Sequence, residues 1–536
     1  MIFLQNVPKE LHHVSEFLKS MIKTLHEDPP CALYGKQENS GNVEIVRDSV
    51  ALKLPQLKLK NTSLFINSSF VEFFFLIFIL FIFLSSSNLY AANDKLAPDD
   101  ETASKSSSLS LSDGETLTVE DAIKIALVQN PDIGIARDRL NIASEALERT
   151  DSLFRPHMSL FTEFSTGDAP SAYLFKSIDQ RDLPNDVVFN DPGTFNNIET
   201  GVQLHLNIYN GGVDSVAVRV AESDIREKRA MTKQMENRIV SSVIHLFFSV
   251  LKANEYIEIA RQSVETIKEQ LRIMTVRFKG GGVLKSDLLS LEVRLAEAGK
   301  DLVHSRNIHA TTLTALNVIM GRKPDSDIYL AKSCECPIVF PGSYQEAVVV
   351  AMEKRPEMIT AREMLQRARL DLKKAWAGYL PRVDLNARWY LDSDDLKFNG
   401  SDNNYTAAMI MNWDFYTGQS TESDLLMAGH GIEAAIKNVK KTELNIYQDV
   451  KRAYLNHEDA KNRLDVAGRS VEMADESLIL VKQRYEGGSE SVTRYLEAEL
   501  ARSKSRMNRT AAFYDEKIAL SDIAVSMGIL SQIWEK

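Results

Sequence analysis

The longest regular pattern in the sequence is a run of apolar residues from Ile239 to Phe278. Its members are separated alternately by four and three residues: Ile239, Val243, Leu246, Val250, Ala253, Ile257, Ala260, Val264, Ile267, Leu271, Met274 and Phe278. This heptad spacing predicts a left-handed coiled coil. Three glycines, 280–282, follow, and glycine permits the positive φ of a helix end and a tight reversal. Helical spacing resumes at Leu284, so the pattern predicts two long helices joined by a glycine tip.

The same seam recurs later in the chain. Ile446 follows Ile239 at an offset of 207 (446 − 239), and the second seam runs to Tyr485, interrupted only at His457. The second seam is followed by a glycine pair, Gly487 and Gly488, just as the first seam is followed by three glycines. A repeat this long predicts two copies of one structural unit in each chain.

The two copies differ in length at one place. The offset from Pro131 to Pro356 is 225 (356 − 131), and it is the same from Pro156 to Pro381, whereas Gly211 precedes its counterpart by only 207 (418 − 211). The first copy therefore has an excess of 18 (225 − 207), all between Pro156 and Gly211. One polar loop, which contains prolines 170, 184 and 192, is expected to absorb the difference.

Within each copy, the period of the apolar residues changes to strict alternation. Residues 158–165, 198–208, 382–391 and 405–415 are predicted strands of about nine to twelve residues, the length that crosses a tilted outer-membrane barrel wall. The apolar residues predicted to face lipid include Val202, Leu204, Leu206, Met409, Met411 and Trp413. A half-buried strand of a soluble sheet gives the same alternation. The export signal described below favours a membrane barrel, as do the aromatic residues Tyr209, Trp413, Phe415 and Tyr416 where strands meet helices.

Four strands are too few to close a barrel, since about eight is the minimum, and open edges cannot lie in lipid. Several chains must therefore share one barrel. The helical segment from Ser215 to Phe278 would extend about 96 Å as one continuous helix. The sequence predicts a barrel in the outer membrane that continues as a long coiled-coil tube through the periplasm.

The start of the chain contains an export signal. An uninterrupted apolar run from Phe73 to Leu84 follows Lys60 and precedes small residues at Ala91 and Ala92, as in a secretory signal peptide. A single inner-membrane anchor is the alternative, although the run is shorter than the ~20 residues that a spanning helix needs. The segment before position 56 has no role in such a signal and is interpreted as the product of a misplaced start codon.

Composition excludes some classes of function. The net charge of −11 argues against a surface that binds nucleic acid. Cys334 and Cys336 could ligate a soft metal, but two ligands without a His or Met cluster are insufficient, and a loop pair is the simpler interpretation. No phosphate loop or nucleophile motif occurs, so the sequence predicts neither an enzyme nor a cofactor.

Several paired motifs resemble those of the TolC-like outer membrane efflux proteins, and the resemblance covers Leu117 to Leu530. The first copy opens with Leu-Thr-Val-Glu-Asp-Ala, which is followed by Asn130-Pro131. The second opens with Ser-Tyr-Gln-Glu-Ala, which is followed by Arg355-Pro356. Each tip runs from Arg-Phe or Arg-Tyr through glycine to an Asp-Leu-Leu or Tyr-Leu-Glu segment. The resemblance implies a homotrimer with a 12-stranded barrel and an α-helical tunnel. It also implies a periplasmic adaptor and an inner-membrane pump, of RND or ABC type, as partners of a passive conduit.

The resemblance places functional residues at the helix tips. Residues expected to line the pore entrance or gate are Asp287, Glu490, Arg494 and Glu497. Residues expected to dock the adaptor are Arg277, Gly281, Leu288, Arg484, Gly488 and Leu496. Arg494 stands where the family commonly has an aspartate, so an all-acidic entrance is not expected. A solvated helix surface is the alternative for these gate positions.

The predicted fold is thus mainly α-helical with a shared transmembrane β-barrel. Expected segments are an extension with signal peptide (1–92), a flexible lead-in (93–116), a first repeat (117–321), a connector (322–342), a second repeat (343–528) and a tail (529–536). The predicted function is an outer membrane channel for efflux or type I secretion. An inner-membrane-anchored coiled-coil adaptor or tether is the alternative. A wide tunnel needs no substrate-shaped pocket, so drugs, metals and secreted proteins all stay open as substrates.

Overall fold

The structure is a computed structural model that describes residues 116–331, 343–395 and 403–534. The predicted signal peptide, and the pair Cys334 and Cys336, lie outside these ranges. Within them the chain is mainly helical, with one four-stranded sheet and one two-stranded sheet. No helix in these ranges combines the length and apolarity needed to cross a membrane.

The predicted repeat is confirmed, with closely matching helix lengths. The first copy contains β1 (Thr116–Leu117), α1 (Val119–Gln129), α2 (Pro131–Asp151), β2 (His157–Gly167), α3 (Pro170–Asp179), β3 (Phe195–Asn210), α4 (Val213–Lys279) and α5 (Lys285–Ile319). After β4 (Tyr329–Leu330), the second contains α6 (Tyr344–Lys354), α7 (Pro356–Trp376), β5 (Arg382–Ser393), β6 (Asn403–Asn412), α8 (Ser420–Glu486) and α9 (Val492–Met527). A final helix, α10, spans Leu530–Trp534.

The starts of the short helices follow from local chemistry. Thr118 caps α1, because its hydroxyl accepts the Asp121 N–H at 3.2 Å. The Asp121 side chain completes a capping box with the Thr118 backbone. Pro131 and Pro356 occupy the first positions of α2 and α7, where a missing N–H costs nothing.

The long helices α4 and α8 each contain 67 residues, which is about 100 Å of helix. Buried seam positions such as Val243, Ala260 and Ile267 lie in α4, and Val450 and Leu478 lie in α8. Near the tips, α4, α5, α8 and α9 share one apolar cluster that includes Ile267, Leu291 and Leu478. The predicted long helices with buried seam positions are therefore confirmed, and the two hairpins pack against each other.

A second apolar cluster lies further from the tips, around the middle of α4. Leu117, Ile123 and Phe247 are fully buried there, where α1 and α4 pack with α5 and α9. Leu530 and Trp534 of α10 belong to the same cluster, so the chain continues as an ordered, packed helix beyond residue 528. Burial of such side chains stabilises by about 1.5 to 3 kcal/mol each.

Each copy closes on a glycine in the left-handed region. Gly321 follows α5 with φ +77°, and Gly528 follows α9 with φ +74°. A Cβ on Gly321 would approach the Gln129 carbonyl oxygen to 2.4 Å, and one on Gly528 would approach the Arg355 Cα to 2.9 Å. Gly321 thus permits a close approach between the ends of α5 and α1, and Gly528 permits the same between the ends of α9 and α6.

The four long strands form one antiparallel sheet in the order β2-β3-β5-β6. Pairing between β3 and β5 joins the two hairpins, and a bulge between Asn207 and Tyr209 shifts their register. Because of this bulge, Tyr209 pairs with Val383 and Ile208 has no partner in the register. The sequence predicts strict alternation as far as Ile208, but the bulge ends it at Leu206.

The loops between paired strands account for the unequal copies. Residues 168–194 separate β2 from β3, and residues 394–402 separate β5 from β6. The first loop is longer by 18 (27 − 9), which equals the predicted excess in the first copy. The first loop contains helix α3, where the sequence indicates only a polar loop. Proline at its first helical position is a start signal that was available in the sequence.

Candidate functional site

The two glycine tips form equivalent turns. The Gly282 N–H donates to the Arg277 carbonyl at 2.9 Å, and the Ser489 N–H donates to the Arg484 carbonyl at 2.9 Å. Gly281 has φ +77° and Gly488 has φ +73°, so both occupy the predicted left-handed conformation. No atom lies within 4 Å of the Cβ position at either glycine, so backbone conformation alone selects the residue.

Burial separates the predicted docking residues into two groups. Arg277, Gly281, Arg484 and Gly488 are exposed at the tips, and Leu288 is half-buried. Leu496 is only 9% exposed and belongs to the apolar cluster between the hairpins. Its predicted role on a docking surface is corrected accordingly: Leu496 is a core residue, because α9 directs it against the neighbouring helices.

Just above the second tip, two tyrosines join the arms of its hairpin. The rings of Tyr485 on α8 and Tyr495 on α9 stack with centroids 5.2 Å apart and planes 18° apart. The Tyr485 hydroxyl donates to the Met274 sulfur of the other hairpin at 2.9 Å. Burial raises the pKa of Tyr495 to about 12. Tyr485 was predicted as a seam residue, but Tyr495 was missed because its partner lies on another helix.

Two charged residues near the first tip influence the pKa of Tyr485. Burial raises the pKa of Tyr485, Arg277 opposes that shift, and Asp287 adds to it. Asp287 is half-buried in the first turn of α5. Glu490, beside the second tip, accepts the Ser491 N–H at 3.3 Å. The structure therefore brings Arg277 and Asp287 to the second hairpin, whereas Glu490 bonds locally.

Arg494 and Glu497, both expected at the gate, lie on one face of α9. The Arg494 Nη1 donates to the Glu497 Oε2 at 3.1 Å, and both side chains are more than half exposed. Ser491 caps this helix by accepting the Arg494 N–H at 3.2 Å. An exposed pair of this kind is worth about 0 to 1 kcal/mol by itself.

A charged cluster one turn further along α9 was not predicted. Glu499 is 1% exposed, with its Oε2 3.7 Å from the Arg502 Nη1, and burial raises the pKa of its carboxyl. Asp475 on α8 accepts from Arg502 at 2.7 Å and from Arg506 at 3.2 Å. Burial alone would raise the pKa of Asp475, but these two arginines lower it. Residues 495 and 499 are one turn apart, a spacing that could have indicated a buried stripe.

One face of the sheet carries charged side chains. The Arg388 guanidinium donates to the Glu199 Oε1 at 2.8 Å and lies 4.4 Å from the Phe161 ring centroid. On the same face, Asp384 accepts from Arg382 at 2.7 Å, and Asp392 is 1% exposed. These positions alternate with the apolar ones, so the predicted division into a polar and an apolar face is confirmed.

The opposite face carries the predicted apolar residues. Strand pairing aligns Val202 with Trp389, Leu204 with Ala387, and Leu206 with Leu385. Met409 and Met411 continue this face on β6, and about 60% of each side chain is exposed.

Trp413 requires a correction. β6 ends at Asn412, so this residue lies just beyond the strand to which it was assigned. Its indole N–H donates to the Tyr379 carbonyl at 3.1 Å, at the junction between strands and helices. A tryptophan with one polar anchor and 56% exposure is typical of a membrane–water interface.

Comparison with known proteins identifies this arrangement. The sequence profile of the outer membrane efflux protein family matches residues 122–322 and 347–528, which are the two copies of the repeat. The chain belongs to the outer membrane efflux protein family. This membership confirms that the paired motifs correctly indicated a TolC-like outer membrane efflux protein. It also confirms the predicted outer-membrane location.

Individual relatives of this outer membrane efflux protein are distant. The alkaline protease secretion protein AprF of Pseudomonas aeruginosa is 20% identical over 58% of this chain and 66% of its own length. The outer membrane protein TolC of Vibrio cholerae is 22% identical over 59% of this chain and 74% of its own. The CmeC outer membrane channel of Campylobacter jejuni has a similar fold, with a TM-score of 0.66 at 16% identity, over 79% of this chain and 91% of that one.

The matched names include a secretion protein and an outer membrane channel, and the predicted function is confirmed at the level of the family. The alternative of an inner-membrane adaptor receives no support from these matches. In the described parts of this efflux protein, no group of three or more His, Cys, Asp or Glu side chains is placed to hold a metal ion.

Proposed function

We propose that three copies of this chain form one 12-stranded barrel in the outer membrane, and that their helices form a periplasmic tunnel. The observation that carries this proposal is an open, two-faced sheet that continues into two helices of 67 residues each. Within the described residues, the edge strands β2 and β6 have one neighbour each. Unpaired edges are not tolerated in lipid, and joining β6 of one chain to β2 of the next satisfies both.

The two faces support one orientation of the barrel wall. Glu199, Asp384, Arg388 and Asp392 share a face that would be costly to expose to acyl chains, so that face lines an aqueous pore. Met409, Met411 and the aligned leucines of β3 present an apolar surface that suits lipid. Trp413 and Tyr379 would lie at the inner interface, where the strands meet the helices.

The tunnel acts as a passive conduit, and an inner-membrane pump supplies the energy through a periplasmic adaptor. The exposed tip residues Arg277, Gly281, Arg484 and Gly488, with the half-buried Leu288, form the proposed docking surface. The match to a protease secretion protein supports export of proteins, and the family's name, outer membrane efflux protein, supports efflux.

The gate is proposed at the start of α5 and α9. Asp287, Glu490, Arg494 and Glu497 all lie within one or two turns of the tips, where three symmetry copies converge on the axis. The Arg494–Glu497 contact of 3.1 Å would recur three times around that axis. An arginine beside each Glu497 reduces the repulsion between the three carboxylates and holds the entrance closed.

The order of segments completes the proposal. Residues 1–92 contain the export signal and are absent from the exported chain, and 93–116 lead into the first repeat. The repeats, at 117–321 and 343–528, build the barrel and tunnel, with 322–342 as their connector and 529–536 as the tail.

The mass of the assembly in mild detergent tests the proposal. The exported chain, expressed with its own signal and extracted from the outer membrane, should elute as a trimer rich in helix. N-terminal sequencing of the same sample locates the cleavage site, expected near Ala92. A monodisperse monomer would overturn the shared barrel, whereas a trimer with an uncleaved start would overturn only the assigned signal.

A further inference from the structure

Among the described elements, helix α3 is the largest difference between the two copies of the repeat. It lies in the loop at 168–194 that joins β2 to β3, and the stretch of sequence that separates β5 from β6, 394–402, is only a third as long. This loop is at the end of the sheet remote from the long helices, because β3 starts at Phe195 after the loop and leads into α4 at its other end. In the proposed barrel, this end opens to the outside of the cell.

The helix is attached to the polar face of the sheet by an ionic contact. Lys176 Nζ donates to the Glu199 Oε2 at 2.9 Å and to the Asp392 Oδ1 at 3.2 Å. The Lys176 side chain is one quarter exposed, and the Asp392 side chain is fully buried. Arg388 already pairs with Glu199, so Lys176 supplies a counterion to the buried Asp392 and anchors the helix specifically.

Further hydrogen bonds surround this contact. Gln180, which follows α3, donates to the Asn197 side chain at 2.8 Å and to the Asn196 carbonyl at 2.9 Å. Asn404 on β6 donates to the Asp179 carbonyl at 3.1 Å and to the Asp392 Oδ2 at 3.0 Å. The last turn of the helix is therefore bound to β3, β5 and β6 together.

The opposite side of α3 is apolar and exposed. Lys176 and Ser177 face the sheet, whereas Phe175 is 69% exposed and Ile178 is 46% exposed. These two are three positions apart and share a helix face. Since the sheet's polar face lines the pore, this apolar side points towards the pore axis, where rotational symmetry brings the same side of two further helices.

The dimensions of the barrel allow three helices to meet. A 12-stranded barrel with strands about 4.8 Å apart and tilted by about 40° is about 24 Å across. That diameter is measured between backbone centres, and inward side chains narrow the bore further, so three helices of about 10 Å diameter more than span it. One helix from each chain is thus sufficient to close the bore.

We propose that α3 is a plug helix. Three copies close the outer mouth of the pore, each bound to the wall through Lys176 and each in contact with the other two through Phe175 and Ile178. The plug would keep external solutes out while no substrate is being exported. This inference rests on the proposed three-chain barrel with its polar face inside.

Access to the pore from outside tests the plug independently of the periplasmic gate. Gln203 is an exposed residue on the polar face, further along β3 from the outer loop than Glu199. The three natural cysteines are replaced by serine, and Gln203→Cys supplies one thiol. Its labelling is followed on intact cells with a membrane-impermeant, polymer-linked maleimide added outside.

Three variants open the plug by different routes. Lys176→Met removes the ionic contact, Phe175→Ser with Ile178→Ser removes the contact at the axis, and deletion of 170–187 removes the helix. That deletion leaves a loop as short as the one in the second copy. Each variant should raise the labelling rate at least about tenfold over the otherwise unchanged chain. The matched control is Lys440→Met, whose lysine pairs with Glu443 at 3.0 Å on α8, and its rate should not change.

The outcomes separate the plug from the channel itself. Trimer assembly in detergent is checked for every variant, and three independent variants keep the test decisive if one does not assemble. Rapid labelling in the unchanged chain, equal to that of the shortened loop, overturns the plug and leaves the channel standing. Absence of labelling even in the shortened loop, with a small maleimide as well, overturns both the plug and the assignment of the polar face to the pore.

Discussion

Tyr485 and Tyr495 stack with ring centroids 5.2 Å apart and close the second hairpin just above its tip. Tyr495 is 1% exposed, so Tyr495→Ala would leave a cavity and cost about 3 to 5 kcal/mol of local stability. Tyr495→Phe keeps the ring and should change stability little. Limited trypsin digestion, which cleaves at the nearby Arg494, should be faster for the alanine variant alone. Equal digestion of the two variants would contradict a stabilising stack.

The buried carboxyl of Glu499 should make stability depend on pH. Its pKa is raised above the ordinary value of 4.5, so the folded protein keeps this proton to a higher pH than the unfolded chain does. Stability from this group is therefore full below 4.5 and is lost as pH rises through the raised pKa.

Glu499→Gln removes this titration, while Arg502 keeps its bond to Asp475. We expect a higher melting temperature than wild type at pH 7 and a flatter profile between about pH 4.5 and 7. The matched control is Glu497→Gln, since that side chain is 59% exposed. Melting curves followed by circular dichroism decide the matter, and parallel profiles for wild type and Glu499→Gln would count against a buried proton.

Two glycines of α8 and its tip should respond to alanine in opposite directions. Gly488 has φ +73°, so Gly488→Ala should cost about 1 to 2 kcal/mol. Gly468 lies inside the helix with open space at its Cβ position, and Gly468→Ala should stabilise by about 0.5 to 1 kcal/mol.

The trimer should assemble in both glycine variants, because a local strain is small beside a long coiled coil. Export in a deletion strain should fall only for Gly488→Ala, since the tips dock the adaptor in our proposal. Wild-type export with that variant would remove Gly488 from the docking surface.

Arg494→Ala tests the gate. Without the arginine, three Glu497 carboxylates near the axis repel one another, so the pore should open more often and prefer cations. Arg272→Ala is the control, because Arg272 and Glu269 form a similar exposed pair, at 2.7 Å, at a comparable distance from the other tip. Single-channel recording in planar bilayers measures both properties. Unchanged conductance and selectivity would assign Arg494 to a solvated surface.

Neighbouring alanines of β6 test the orientation of the barrel wall. Ala407 pairs with Ala387 on the apolar face, and Ala408 pairs with Asn386 on the polar face. Ala407→Arg would place a charge in lipid and cost about 2 to 4 kcal/mol near the bilayer centre. Ala408→Arg should insert normally. The yield of heat-resistant trimer in outer-membrane fractions is the measurement, and equal yields would refute the assigned faces.

The sequence predicted the features that depend on local periodicity. Heptad spacing from Ile239 to Phe278 identified α4, and alternation about Val202 identified β3 and its two faces. Gly281 and Gly488 marked the tips because positive φ selects glycine without any tertiary contact. These features can be predicted from one sequence because they depend on the spacing and the backbone conformation of residues that are close together in the chain.

Features that depend on distant partners could not be predicted. Lys176 contacts Asp392 from 216 positions away, and no local pattern pairs them. The bulge after Asn207 and the burial of Leu496 likewise depend on which strand or helix lies alongside. The turns at the tips were therefore predicted, whereas the attachment of α3 to the sheet and the tyrosine stack depend on three-dimensional contacts.

The equal length of α4 and α8, 67 residues each, restricts how this protein can change in size. One inserted residue rotates everything beyond it by about 100°, which would turn the seam away from its neighbours. Insertions of one whole heptad restore the seam, but the returning helices α5 and α9 must lengthen by the same amount to keep the two turns level. The reach of such a molecule across its compartment can therefore change only in steps of about 10 Å, through four coordinated insertions.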